Sequence, residues 1–119
     1  MNIHLVEDNP DMLESLRMLL ELRGFRVKSY SRGLELLDAA HRVGPDDVVI
    51  SDYYMPDVNG VELLKRVRQV EPRVRALLLT GSREEGIAAS ARSLQKCGVV
   101  YKPLDVESLE RAIFEVKAA

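Results

Sequence analysis

One cysteine, Cys97, stands in the whole chain. That excludes an internal disulfide and any thiolate metal motif, and a reducing, cytoplasmic setting is the expectation that follows. Long apolar runs are missing too: none approaches the ~20 residues that a bilayer-spanning helix needs. Nor does the chain open on a basic segment followed by an apolar stretch and a cleavage site, so neither export nor membrane insertion is expected. Charge of one sign is absent. The 19 acidic and 17 basic residues are spread along the length and leave a formal net charge of -2, which provides no basic footprint for direct binding to nucleic acid or to an anionic membrane. Internal repeats, low-complexity segments and linkers are likewise lacking.

What is present is an ordinary globular composition, 46% hydrophobic and 30% charged over 119 residues. One domain, residues 1–119, is expected, large enough to bury about 70% of its unfolded surface without staples. Strand-like and helix-like periods alternate from end to end, which predicts an α/β fold with a parallel sheet covered by helices on both faces. A first strand is expected at 2–6. Pro10 then opens a helix in which Met12, Leu13, Leu16, Leu19 and Leu20 recur at helical spacing, and Gly24 supplies a left-handed stop. In 25–30, Phe25, Val27 and Ser29 alternate with Arg26, Lys28 and Tyr30, the mark of a strand with one wet face or at an edge. Ser31 caps a second helix carrying Leu34, Leu36 and Leu37, which ends near Gly44-Pro45.

The run 48–51 suits a strand covered on both faces. Asn59 with Glu62 forms a capping pair for a third helix that turns Val61, Leu63, Leu64 and Val67 inward, and 74–79 is the fourth strand. Ser82 with Glu85 repeats the pair before a helix over about 83–93, whose stripe of Ile87, Ala88, Ala91 and Leu94 is thin. This helix is expected to be the least firmly packed. The last strand covers about 99–101, and Asp105 caps a final helix bearing Leu109, Ala112, Ile113 and Val116, with Leu104 and Leu109 as a hydrophobic staple.

Four of the five apolar runs stop on residues of one chemical system: Glu7 and Asp8 after 3–6, Asp52 after 48–51, Thr80 after 76–79, and Lys102 after 99–101. In an open parallel sheet the carboxyl ends of the strands share one edge, so these residues are predicted to converge. Each has a plain explanation by itself: Asp8 or Asn9 as a helix cap, Thr80 as a strand-end hydroxyl, Lys102 as a structural lysine. Joint occurrence at four strand ends favours a site. Three carboxylates held together repel by ~4 kcal/mol per pair at about 4 Å and an effective dielectric near 20. A cation has to offset that, and hard oxygen donors with room for water suit Mg2+ or Mn2+. Lys102 can pair with Asp52 at rest and with a phosphoryl oxygen later. His4, in a central strand, reads as a hydrogen-bonded core histidine rather than a phosphodonor or a ligand.

The segments Val6-Glu7-Asp8-Asn9, Ser51-Asp52-Tyr53-Tyr54-Met55-Pro56-Asp57-Val58-Asn59-Gly60, Leu79-Thr80-Gly81 and Tyr101-Lys102-Pro103, in this order and spacing, resemble the receiver domain of two-component response regulators. The resemblance covers essentially the whole chain. It implies a flavodoxin-like, doubly wound five-stranded parallel sheet in the order 2-1-3-4-5. It also implies that Asp52 accepts a phosphoryl group from the phosphohistidine of a sensor histidine kinase or phosphotransfer protein. Glu7, Asp8, Asp52 and the backbone carbonyl of Tyr54 would hold Mg2+, with Thr80 and Lys102 contacting the acyl phosphate. On this reading the chain is not an enzyme but a phosphoacceptor that assists its own phosphorylation and dephosphorylation. Its fourth helix, fifth strand and fifth helix would signal to a downstream effector, an attached output domain or a phosphorylation-dependent homodimer.

One position departs from the family. Three residues before the lysine, where a switch aromatic is usual, stands Val99, while Tyr101 lies directly before Lys102 and on the same strand face as Val99. Tyr54 and Ser82, two residues beyond Asp52 and Thr80, occupy positions that in the family border the path of hydrolytic water. Other functions compete. An aspartyl-nucleophile Mg2+ phosphatase of the haloacid dehalogenase type wants a second acid two residues after the nucleophile, where this chain has Tyr54. A flavodoxin wants a phosphate-holding loop after the first strand, where Glu7-Asp8-Asn9 would repel the ligand. A receiver-like binding module that is never phosphorylated would keep the same acids unused, and labelling of Asp52 separates it from a switch.

Overall fold

Aliphatic runs bounded by turn residues form five strands, and the amphipathic segments between them form helices. The computed structural model describes residues 1–81 and 85–119, the Glu85 side chain excepted. The order is β1 (Asn2–Val6), α1 (Pro10–Leu22), β2 (Arg26–Tyr30), α2 (Gly33–Asp38), a 3-10 turn (Ala40–Arg42), β3 (Val48–Asp52), α3 (Gly60–Val70), β4 (Arg75–Thr80), α4 (Glu85–Arg92), β5 (Cys97–Tyr101) and α5 (Val106–Ala118). Neighbouring strands are all parallel, in the order β2-β1-β3-β4-β5. The chain therefore leaves β1 on one side to make β2 and on the other to make β3. This reversal opens a crevice at the carboxyl ends of β1 and β3. Among the described residues no helix is long and apolar enough to cross a membrane.

Strand alternation sends one set of side chains to each face. Ile3, Leu5, Val48, Ile50, Leu77 and Leu79 meet Leu16 and Leu20 of α1 and Leu109, Ile113 and Val116 of α5. On the opposite face Val6, Val49 and Ala76 meet Leu36 of α2 and Leu63, Leu64 and Val67 of α3. Full burial of each Leu or Ile contributes about 1.5–3 kcal/mol, so a central strand such as β3, buried at all five positions, is held from both sides. The α4 helix adds Ala91 to a smaller cluster with Val61 and Leu78. Ile87 is buried as well, and the rest of the described stripe is Ala-rich.

Local signals account for most boundaries. Asn9, and not Asp8, caps α1, accepting the Asp11 and Met12 N–H groups, which leaves the Asp8 carboxylate uncommitted to the helix. Gly24 takes φ +91 after α1, as its lack of a Cβ permits. Asn59 accepts the Glu62 N–H at the start of α3, and Asp105 accepts the Ser108 N–H at the start of α5. Leu104 and Leu109 pack in the same cluster. β2 is an edge strand with Arg26, Lys28 and Ser29 exposed.

Four details differ from the sequence reading. Ser31 does not cap α2; its hydroxyl donates to Glu35 at 2.7 Å, and the residue before the helix is Arg32. Leu19 lies outside the core of α1 and is 42% exposed, because the inward arc is filled by Leu16 and Leu20. The last strand begins at Cys97 rather than near 99, since pairing to β4 starts at Ala76. Glu62 turns to Arg66 rather than closing a reciprocal cap. The expected Ser82–Glu85 cap, and the start of that helix near 83, lie outside the described residues.

His4 is fully buried. Its Nε2 lies 2.8 Å from Asp47 Oδ2 and its Nδ1 lies 3.1 Å from the Tyr30 hydroxyl, so both ring nitrogens are satisfied inside the fold. Burial works against the Asp47 charge, but N–H groups of Gly44 and Asn2 and the His4 ring outweigh it and hold the carboxyl below its ordinary pKa. This histidine is structural.

Candidate functional site

The crevice collects the acids. Glu7 and Asp8 follow β1 directly, and Asp52 ends β3, its register beside β1 fixed by the pairing of Val6 with Ser51. One oxygen from each of Glu7, Asp8 and Asp52 can be chosen so that all lie within 4.8 Å of one another. Glu7 and Asp52 are buried while Asp8 is exposed, so the cluster is open to solvent on one side. Lys102, after β5, reaches across with its Nζ 2.8 Å from Asp52 Oδ1 and 3.6 Å from Glu7 Oε1. Its backbone is fixed by donation of the Lys102 N–H to the Thr80 carbonyl at 2.9 Å.

Burial, followed by the hydrogen bond and charge of Asp52, pushes the Glu7 carboxyl up to about 8. Asp8 adds to this and Lys102 opposes it. Burial by itself would lower Lys102, but the hydrogen bond and charge of Asp52, together with Glu7, hold it above its ordinary value. One ammonium therefore does not balance three acids. Asp52 Oδ1 is buried and faces the Lys102 ammonium at 2.8 Å, the same ammonium that stands 3.6 Å from Glu7 Oε1. Three carboxylates that share a single ammonium, with oxygens within 4.8 Å of one another and one side open to solvent, fit a hard divalent cation.

Thr80 ends β4, buried, on the strand beside Asp52, which is in register with Leu79. The loop after Asp52 is braced: Tyr53 donates to the Leu79 carbonyl at 2.9 Å and Gly60 donates to the Tyr53 carbonyl at 2.8 Å. A Cβ on Gly60 would fall 2.8 Å from the Asp52 carbonyl oxygen, so only glycine permits this approach of α3 to the strand end. Tyr54 is 58% exposed, with its ring edge-on to Tyr53 at 4.8 Å. Val99 packs beside the Ala91 cluster under α4.

A family model described as the response regulator receiver domain matches residues 3–114. The chain belongs to this family. It is 29% identical to the transcriptional regulatory protein FixJ of Rhizobium meliloti over 121 residues, covering 98% of this chain and 59% of FixJ. It is 28% identical to the sensor kinase CckA of Brucella abortus, covering 94% of this chain but 12% of CckA. Among solved structures, FixJ-N superposes with a TM-score of 0.87 at 26% identity, covering 98% of this chain and 93% of that one. The chemotaxis protein CheY4 of Vibrio cholerae gives 0.87 at 26% identity, covering 97% of both. This receiver therefore spans only part of the length of the FixJ and CckA proteins it matches.

Receiver domains are phosphoacceptor signalling domains of two-component systems, flavodoxin-like in fold, which bind Mg2+ at an acidic pocket. In this receiver the expected Glu7, Asp8, Asp52 and Lys102 come together, with Thr80 at the neighbouring strand end. Two contributors carry no clear signal in the sequence. Gly60 reads as a turn residue, though its contact with the Asp52 carbonyl is what it is needed for. Asp57 caps α2 from 23 residues away, a distance at which no local pattern announces it.

Proposed function

We propose that residues 1–119 act as one receiver unit in which Asp52 takes a phosphoryl group from the phosphohistidine of a sensor histidine kinase or phosphotransfer protein. The observation that carries this reading is the clustering of Glu7, Asp8 and Asp52 oxygens within 4.8 Å, with Lys102 Nζ 2.8 Å from Asp52 Oδ1. In the step itself, an Asp52 carboxylate oxygen forms a bond to phosphorus while the phosphorus–nitrogen bond of the donor breaks. The electron pair returns to the imidazole, which is left neutral or takes up a proton. Glu7, Asp8, Asp52 and the Tyr54 carbonyl are the ligands for Mg2+ (or Mn2+), which when bound neutralises charge on the transferring oxygens.

The chain's own residues do the rest. Lys102 moves its ammonium from Asp52 to a phosphoryl oxygen, and Thr80 offers its hydroxyl to another. Both act by position and charge, the main requirement of phosphoryl transfer. The receiver so assists its own phosphorylation and the later hydrolysis, without turnover of an external substrate. Movement of Thr80 toward the phosphate then biases the surface formed by α4, β5 and α5, which an effector, an attached output domain or a second phosphorylated copy reads. With Val99 in place of a ring on β5, this coupling runs through a smaller side chain.

Incubation with a phosphohistidine donor and Mg2+ should label the wild type and leave Asp52→Asn unlabelled. A wild type that stays unlabelled by both phosphohistidine and acetyl phosphate would instead favour a binding module that never carries phosphate.

A further inference from the structure

Helix α2 begins without a cap of its own: Arg32, the residue before it, makes no side-chain hydrogen bond to the first turn. The free N–H groups of a first turn need acceptors. Here the acceptor comes from the loop that leaves Asp52. Asp57 takes the Leu34 N–H at 2.9 Å on Oδ2 and the Val58 N–H at 3.0 Å on Oδ1. Burial opposes the Asp57 charge, but these N–H groups, with Gly33, outweigh it and keep the carboxyl below its ordinary pKa.

The two segments are also fitted to each other. A Cβ on Gly33 would lie 2.4 Å from Val58 Cγ1, so the α2 backbone rests directly on the loop. At its other end the loop is braced on β4, where Tyr53 N–H donates to the Leu79 carbonyl, and it closes on itself through the Gly60 N–H to the Tyr53 carbonyl, with Gly60 pressed against the Asp52 carbonyl. Its outer side borders an open groove of about 530 Å³ lined by Asp8, Pro10, Ser31, Arg32, Pro56 and Asp57, which leaves room for it to shift.

We propose that Asp57 is a positioning residue of the phosphoacceptor site. By tying residues 53–58 to the first turn of α2, it sets the place of the Tyr54 carbonyl and couples occupancy of the site to that helix. The inference rests on the reading of Glu7, Asp8 and Asp52 as a Mg2+ and phosphoryl site. It adds a second way out of that site, on the flank away from α4, that passes neither Thr80 nor Val99. Coupling of this kind is reciprocal: a loosened cap weakens Mg2+ binding by the same factor by which Mg2+ tightens the cap.

The test is a MgCl2 titration of the nitrogen-15-labelled chain by NMR, read at the Leu34 amide and at the amides of Tyr53 and Tyr54. In the wild type all three should respond with one midpoint. Asp57→Ala should bind Mg2+ about fivefold more weakly or worse, the lower end of ordinary coupling, with Leu34 no longer responding. Asp57→Asn, which keeps one accepting oxygen for the Leu34 N–H but gives up the second at Val58, should restore part of both. Ser31→Ala removes the hydroxyl contact to Glu35 in the same turn but leaves Asp57 in place, so it should bind Mg2+ like the wild type. The proposal is overturned if Asp57→Ala stays within about twofold of the wild type, if Asp57→Asn is as weak as the alanine variant, or if Ser31→Ala is equally weak. A wild type with no Mg2+ response at any of these amides would remove the metal-site reading, and this coupling with it.

Discussion

Lowering the pH should loosen the metal and tighten the metal-free fold, and Glu7 links the two effects. Buried beside Asp52, its carboxyl is raised from 4.5 to about 8. Between those values the folded, metal-free chain keeps a proton that the unfolded chain has released. The stability this contributes is fully present below about pH 4.5 and is lost as pH rises through about 8. At ~1.4 kcal/mol for each tenfold gain in proton affinity, and with screening by water at the open side of the crevice, the window is worth roughly 3–5 kcal/mol. A divalent cation needs the carboxylate, so its binding expels the proton. Mg2+ affinity should therefore climb by close to tenfold per pH unit from about 6 to 8 and level off above.

The measurement is a set of Mg2+ titrations from about pH 6 to 9, followed by tyrosine fluorescence, beside urea unfolding in chelator over the same range. Glu7→Gln cannot exchange the proton. It should bind Mg2+ more weakly but with a flat pH dependence above about pH 6, and its metal-free stability should lose most of the slope. A wild-type affinity that ignores pH between 6 and 8, or a slope that survives in Glu7→Gln, would refute the reasoning.

Gly60→Ala places a methyl 2.8 Å from the Asp52 carbonyl oxygen and 2.9 Å from Leu78 Cδ2. It should cost about 1–3 kcal/mol of stability and slow phosphorylation; denaturant unfolding equal to the wild type would count against the close approach. His4→Leu strands the Tyr30 hydroxyl and removes one of the partners of Asp47. It should destabilise the fold by about 1–3 kcal/mol, with Asp52 labelling of the folded protein retained, and a loss of labelling would show that His4 is more than structural. Tyr54→Asn should shorten the phosphoryl half-life on Asp52 by opening a path for water, and an unchanged half-life would defeat that idea.

Periodicity and turn chemistry carry the alternation of strands and helices because they are local: Pro10, Gly24, Asn59 and Asp105 act within a few residues of themselves. The same locality explains the misreadings. Ser31 has the right chemistry for a cap, but Asp57 reaches the α2 amide from another loop and takes the place. Leu19 fits the apolar stripe of α1, yet the width of the buried arc is set by α5 and β2 alongside, and it is left half outside. His4 reads correctly as a hydrogen-bonded core histidine, but that Asp47 and Tyr30 are the groups that close around it is decided by the packing.

Which residues end the strands is legible in the chain alone, and a parallel sheet turns that list into a neighbourhood, since its carboxyl ends share one edge. Distance and environment are not written there. That Lys102 Nζ lies 2.8 Å from Asp52, that Glu7 is buried enough to hold a proton near pH 8, and that Asp57 ties the loop to α2 all depend on how separate strands and helices pack. Charges and hydrogen bonds act through space, and it takes the folded arrangement to say which groups share it.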